Sequence, residues 1–420
     1  MGKKVEKPIE QTESLLTTEN EVREKSVKYK CGKKFLERLN EFTESFAAFG
    51  PDFGNVRLDG QILIRKEELR KMYKNEFSLL TPAQRVNRMN ATLESRITSW
   101  EESMYVQYEQ QFENKYSGKE LKFVCKMAVS QRLQPVKKLL RNMMDVKSST
   151  LMRMVLKDSN AALRNAFYEN TQADITWWED AVAEAYVMVS LGFVQPDKSI
   201  YHLIVDECQD YSEPALALLH LYYPNAKVTL LGDPKQRTCP AMPPCEPKNW
   251  GMCFGDEKAE VFKLSKCYRS TLPIARLCNA ILPDKDRLEP FGREGAMPQI
   301  LPYNKEAVQK KLAEFRASGH RSIAIITRTQ ALAVELSECL ENVFRLDGGD
   351  EDLHYESNDT VVSSFQPVKG LEFDAVIVVW PDCEVTDDER RRLYTACSRA
   401  LHSAALLADP ALIAKLGIVL

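Results

Sequence analysis

Apolar residues recur along this chain at two different periods, and the change from one to the other falls near residue 180. From Lys34 the spacing is helical, with Phe35, Leu36, Leu39 and Phe42 on one face. The stretch from Leu58 to Ile64 predicts a turn and a short strand. A long helix is predicted from Thr81. Thr81-Pro82-Ala83-Gln84 offers a capping hydroxyl, a proline for the first helical position and an amide three residues on. Val86, Met89, Leu93, Ile97, Trp100, Met104, Tyr108 and Phe112 then follow at intervals of three and four. Residues 1 to about 25 are polar without a period and predict a frayed, disordered tail.

Beyond a predicted helix from Trp178 to Leu191, short apolar runs alternate with helical stretches. Strands are predicted at Leu203 to Val205, Lys227 to Leu231, Ser322 to Ile326, Thr360 to Ser364 and Ala375 to Val379. Helices are predicted at Ser212 to Leu221, Leu272 to Ile281, Lys305 to Ser318, Ala331 to Asn342 and from Asp387. Apolar strands of this kind are expected to be buried, and the alternation specifies α/β architecture with doubly wound parallel sheets. The all-helical region 26–180 precedes this part.

Composition narrows the classes. At 420 residues two or three domains are expected, and 44% hydrophobic residues suffice for real cores. A net charge of −3 produces no global field toward nucleic acid. A local one exists: from Lys122 to Arg164 ten Lys or Arg face only Asp145 and Asp158. Lys137, Lys138 and Arg141 are its candidate phosphate contacts, and a solvated helix face is the alternative. No apolar run is long enough to span a membrane, and no secretory signal opens the chain. Eleven cysteines without CxxC pairs suit reduced thiols in a cytoplasmic protein. Cys239, Cys245, Cys253 and Cys267 cluster in one region, but at spacings that match no familiar zinc module.

The chemistry collects where strands end. In Tyr201 to Asp210, YHLIVDECQD, an apolar run stops at Asp206 and Glu207, followed by Gln209 and Asp210. Ligands of open α/β sheets gather outside such strand ends. The second strand stops at Gly232-Asp233-Pro234-Lys235-Gln236, and further on Tyr268-Arg269-Ser270 precedes a helix.

Five blocks in order complete a pattern: IVDECQD, LLGDPKQ, YRS, VKGLEFDAVIVV and LYTACSRA. Together they resemble the Walker B block and motifs III to VI of UvrD/Rep-like superfamily 1 helicases. The helical front, notably VKYKCGKKFLERLNEF, is similar to region 1B of the HelD type. The resemblance implies P-loop NTPase (RecA-like) sheets, one incomplete and one near-complete. A 1B-like region would cover 26–180, a partial domain 1A 181–290 and a domain 2A 296–420. It implies ATP hydrolysis coupled to 3′ to 5′ movement on DNA. Asp206 would hold Mg2+, Glu207 would act as general base and Gln236 would sense the γ-phosphate. Arg269 and Arg399 would stabilise the transferring phosphoryl group. Gly370 and Glu372 would sit by the nucleotide sugar or the bound strand.

The sequence departs from that family at a decisive place. No G-x-x-x-x-G-K-[ST] cradle occurs; Gly2-Lys3, Gly32-Lys33 and Gly118-Lys119 all lack its remaining residues. An aromatic that the family places soon after motif III is replaced by Arg237-Thr238-Cys239-Pro240, leaving Trp250 as the nearest. Two readings follow. One is the C-terminal portion of a DNA helicase or translocase, truncated before Walker A and inactive alone, with a separate chain supplying that half. The other is a non-hydrolysing module that engages nucleic acid or RNA polymerase.

Overall fold

The computed structural model describes residues 4–7, 15, 21–239, 241–254, 259–264, 266–283, 289–291, 293–346, 360–381 and 383–418. Its first half is helical. Strand β1 (Lys4–Val5) precedes α1 (Glu21–Lys30) and α2 (Lys33–Phe49). A hairpin, β2 (Val56–Leu58) and β3 (Gln61–Ile64), leads to α3 (Lys66–Lys71). Two long helices then run antiparallel-connected, α4 (Pro82–Phe112) and α5 (Gly118–Met143), followed by α6 (Ser148–Val155) and α7 (Ala161–Gln172). Strand β4 (Ile175–Thr176) and α8 (Trp178–Ser190) close this part.

Local chemistry accounts for the start of α4. Thr81 Oγ1 accepts from the Gln84 amide at 3.3 Å while Gln84 Oε1 accepts from the Thr81 amide at 3.1 Å. Two otherwise orphaned donors are thereby satisfied. Val86, Met89 and Leu93 are buried in one core with Phe35, Leu39 and Tyr73. Farther along the helix Ile97, Trp100 and Tyr108 are only partly buried, packed against the margin of that core.

The frayed tail expected over residues 1–25 is corrected where the structure describes it. Lys4 and Val5 pair in parallel with Ile175 and Thr176. Glu6 accepts from buried Arg23, which also pairs with Glu179, while Lys30 pairs with Asp180. The Arg23 guanidinium stacks 4.2 Å over Trp177. Buried charges need partners, and these partners are separated too widely in sequence for a local period to reveal them. Residues 1–3, 8–14 and 16–20 lie outside the described residues.

In the second half β5 (His202–Val205), α9 (Glu213–Tyr222) and β6 (Lys227–Leu230) form a unit in which the two strands pair in parallel. Among the described residues they pair with no other strand. The expectation of buried strands is corrected here. Val205 is buried and Leu203 and Leu230 are partly buried against Leu216 of α9 and Trp250. Ile204 on the opposite face is 64% exposed, and His202 and Thr229 meet there through a side-chain hydrogen bond at 2.9 Å. Among the described residues, one face of this sheet has a layer over it and the other does not.

Next come α10 (Pro247–Trp250), β7 (Lys266–Cys267), α11 (Leu272–Ile281) and β8 (Glu289–Pro290). The C-terminal part consists of β9 (Gln299–Pro302), α12 (Lys305–Ala317), β10 (Ile323–Thr327), α13 (Gln330–Cys339), β11 (Phe344–Arg345) and β12 (Thr360–Ser364). It ends in β13 (Phe373–Trp380), α14 (Asp387–Cys397), β14 (Ala400–Ala408) and α15 (Pro410–Leu416). Six of these strands make one wholly parallel sheet in the order β11-β12-β10-β13-β14-β9.

Alternate side chains of each strand feed different cores. Ala324, Ile326, Val376, Val378 and Trp380 point to α11, α14 and α15. Ile323, Ile325, Ala375, Ile377 and Val379 point to α12 and α13. Both faces are covered, as a parallel sheet requires. The expected boundary at residue 290 shifts accordingly: Ile274, Leu277 and Ile281 of α11 belong to the C-terminal core. No helix among the described residues is long and apolar enough to cross a membrane.

Candidate active site

The site lies where the ends of β5 and β6 meet the face of the six-stranded sheet that carries α14. Strand β5 stops at Asp206 because the backbone turns sharply there. Glu207 adopts a left-handed φ of 50°, and its amide donates to Asp206 Oδ1 at 2.8 Å. Such a conformation is uncommon for a residue with a β-carbon. Asp206 is exposed and Glu207 half-buried.

Gln209 ties the two strand ends together. Its Nε2 donates to Glu207 Oε2, and its Oε1 accepts from the Asp233 amide at 3.0 Å. Gly232 allows this approach, since a β-carbon there would lie 2.6 Å from Gln209 Oε1 and 2.7 Å from Cys208 Sγ. Asp233 then accepts from the Lys235 amide and from Gln236 Nε2 at 3.0 and 3.1 Å, and Tyr394 OH reaches it at 3.4 Å. Burial raises the Tyr394 phenol, and the Asp233 charge raises it further.

Arginines enter from the opposite wall. Arg399 is 1% exposed at the end of α14. Its Nε donates to Thr395 O at 3.1 Å, and its Nη2 donates to Gln236 Oε1 at 2.8 Å and Ser398 Oγ at 3.0 Å. Burial pulls its pKa down, the neighbouring Arg269 adds to that, and Glu207 opposes it. Arg269 pairs with Glu372 at 2.7 Å. Asp206, Glu207, Gln236, Arg269, Glu372 and Arg399 are therefore brought to one region. Gly370 stands beside it on an exposed turn at φ 79°, with nothing within 4 Å of a built β-carbon. Its backbone, not its packing, calls for glycine.

Three contacts across the site were not anticipated from sequence. Lys369 Nζ pairs with Asp210, whose carboxyl is raised by burial and partly restored by that lysine. Arg237 pairs with Asp388 at 3.2 Å. Arg392 Nε donates to Thr238 O at 3.1 Å and its Nη1 to Glu389 Oε2 at 2.6 Å. Glu389 also accepts from Arg328 Nε at 2.6 Å and Trp380 Nε1 at 3.0 Å, so one carboxylate fastens two strand ends to α14. The run Arg390-Arg391-Arg392 was the available signal, but its members diverge. Arg390 bonds to the Ile281 carbonyl, Arg391 to Asp388 and Arg392 across the site.

The donors suit a phosphate with its cation in part. Asp206 is exposed at the strand end next to Glu207, and Arg399, with Arg269 beside it, lies near the Glu207 charge. A loop of backbone amides with a lysine is missing from the sequence. Among the described residues no group of three or more His, Cys, Asp or Glu is placed to hold a metal. The predicted nucleic-acid residues lie elsewhere, on α5. Lys137 is held by Glu101 at 2.5 Å, whereas Lys138 and Arg141 are exposed.

Residues 359–407 match the family model of the UvrD-like helicase C-terminal domain. Among solved structures, the chain is similar to the C-terminal domain of a possible DNA helicase from Lactobacillus plantarum WCFS1. That match has 30% identity over 34% of this chain and 87% of that one, with a TM-score of 0.28. It is also similar to arterivirus nonstructural protein 10, a helicase, solved with DNA. There the identity is 19% over 54% of this chain and 43% of that one, with a TM-score of 0.32. No curated protein matches the chain.

Proposed function

We propose that this chain, with its UvrD-like helicase C-terminal domain segment, is the C-terminal motor portion of an ATP-dependent DNA helicase or translocase. The observation that carries the reading is the link from Arg399 to Gln236 to Asp233, beside Glu207 and Arg269. It joins the end of β6 to the end of α14. ATP with Mg2+ supplies the phosphoryl group that is cleaved. Asp206 would hold the cation and Glu207 would take the proton of the attacking water. Arg269 and Arg399 would offset charge on the phosphoryl oxygens. Movement from 3′ to 5′ is the polarity expected of this kind of motor.

The exposed Ile204 face and the edges of β5 and β6 left open among the described residues support completion of the site by a further segment carrying the phosphate cradle. Without that cradle several charge-assisted hydrogen bonds to the triphosphate are lost, each worth about 1.5–3 kcal/mol. Affinity falls by orders of magnitude as a result. The same absence favours a second reading, a non-hydrolysing module that engages nucleic acid or RNA polymerase.

DNA-stimulated ATP hydrolysis separates the two. The chain alone is expected to turn over negligibly. Co-expression with a polypeptide encoded immediately upstream and bearing G-x-x-x-x-G-K-[ST] is expected to restore turnover that Glu207→Gln abolishes. DNA binding without turnover in either preparation supports the second reading. Turnover by the chain alone, lost in Glu207→Gln, overturns the need for a second segment.

A further inference from the structure

Helices α4 and α5 continue as a pair past Leu93, the last buried residue of α4, and leave a groove open along one side. Its lips are Glu102, Tyr105 and Val106 of α4 and Lys126 and Ser130 of α5, around a volume of about 560 Å³. Val106 is 53% exposed. At about 100° per residue, Phe123 and Met127 fall on the same side of α5 as Lys126 and Ser130. They are 66% and 45% exposed, so an apolar strip follows the groove. The two lips carry opposite charge. From Ile97 to Asn114 the chain has Glu101, Glu102, Glu109 and Glu113 and no Lys or Arg. From Gly118 to Met143 it has seven Lys or Arg against Glu120 alone. Lys137 pairs with Glu101 at 2.5 Å, whereas Glu102, Glu109 and Lys126 make no ion pair among the described residues.

Such a face is complementary to itself under one symmetry operation. A two-fold axis parallel to the helices, in the plane of the groove, lays α4 of one copy on α5 of the other and keeps every residue at its own height. Acidic lips then meet basic lips, and Val106 meets the Met127 side of the second copy. An axis perpendicular to the helices lays acid on acid, which like-charge repulsion disfavours. The Lys137–Glu101 pair fixes the register of the two helices, and by it Glu109 stands within about one helical turn of the level of Lys126. We propose that this groove is the interface of a homodimer, in which Glu109 of each copy faces Lys126 of the other. The overlap is about 30 Å by 20 Å, roughly 600 Å² per partner, the low end of interfaces that persist in solution. Association is therefore reversible, with a Kd of about 10 µM. Nothing in this contact depends on the motor reading.

Sedimentation velocity of the full chain over a range of concentrations is the test. A monomer–dimer equilibrium is expected, weaker in about 1 M salt, where the Debye length is about 3 Å. Glu109→Lys and Lys126→Glu each turn two symmetry-related contacts repulsive, and each is expected to raise Kd about tenfold. The double variant, Glu109→Lys with Lys126→Glu, exchanges the charges of the facing lips. It is expected to return Kd to within about threefold of the parent. Far-ultraviolet circular dichroism checks that each variant keeps the parent's helix content. A chain that stays monomeric at about 100 µM in low salt overturns the proposal and leaves the groove to a helix of another polypeptide. So does a dimer that neither single variant weakens, or one that the double variant fails to restore. The parent by itself decides the first of these outcomes, so the test does not depend on a variant folding.

Discussion

Arg399 Nη2 donates to Gln236 Oε1 at 2.8 Å, a bond between residues 163 positions apart that joins α14 to the turn after β6. The arginine is almost wholly buried and donates to the Thr395 carbonyl, Gln236 Oε1 and Ser398 Oγ. Its removal leaves the Gln236 carbonyl oxygen without that donor. Arg399→Ala is expected to destabilise the chain by about 3 kcal/mol, from lost charge-assisted bonds and a cavity. Arg399→Lys is expected to cost less, because charge survives but the planar fork does not. Urea midpoints of the three proteins decide it. A shift smaller than about 0.5 kcal/mol for the alanine variant, the range of ordinary surface changes, would show that the bond is dispensable.

Glu389 is the second point where one side chain holds several elements. Glu389→Ala strips an acceptor from Arg328, Arg392 and Trp380 at once. Breaking a buried pair by deleting one partner costs about 3–5 kcal/mol. Glu389→Gln keeps one carbonyl oxygen and is expected to lose roughly half as much. The near-ultraviolet circular dichroism of Trp380 and the denaturation midpoint report the two effects together. Equal stability of the alanine variant and the parent would rule out this role.

Asp180 makes stability depend on pH. Burial pushes its carboxyl up to about 6, with Lys30 opposing, Glu179 reinforcing and Arg23 opposing. The folded pKa lies above the unfolded one, so between roughly pH 4 and pH 6 the folded state binds more protons. Asp180's contribution to stability therefore falls as pH rises through that window and is constant above about pH 7. Asp180→Asn removes this term, so the stability difference, parent minus variant, is expected to decrease from pH 4 to pH 6. Chemical denaturation at a series of pH values measures it, and a difference that rises over that range contradicts the assignment.

Of the three candidate phosphate contacts, Lys138 and Arg141 are exposed, while Lys137 is engaged by Glu101. The double variant Lys138→Glu with Arg141→Glu is expected to weaken DNA binding and to reduce the slope of log affinity against log salt by about 2. Lys137→Ala is expected to change the slope less. Fluorescence anisotropy with labelled single-stranded DNA from low to moderate salt supplies both numbers. An unchanged slope in the double variant assigns this helix face to solvent.

Much of the site was legible in the sequence because each piece is locally encoded. An apolar run ending in acids makes Asp206 and Glu207 visible, and the turn signals after β6 make Gln236 visible. Capping residues and three-four spacing gave α4 its start and its buried face. The strand β14 was not anticipated, since ALHSAALLA follows the last helix without a turn signal and its alanines suit a helix as well. Its place in the sheet comes from pairing with β13 and β9.

By itself, then, the sequence determined the kind and order of most elements and the polar residues at strand ends. Those properties depend on spacing within a few residues. Tertiary structure alone decided which charges meet: Lys369 with Asp210, Arg269 with Glu372 and Arg392 with the Thr238 carbonyl. It also decided that α11 serves the C-terminal core and that the Ile204 face of β5 stands uncovered. A period of 2.0 or 3.6 says which side of an element is apolar. What lies against that side is set by packing between segments that are far apart in the chain.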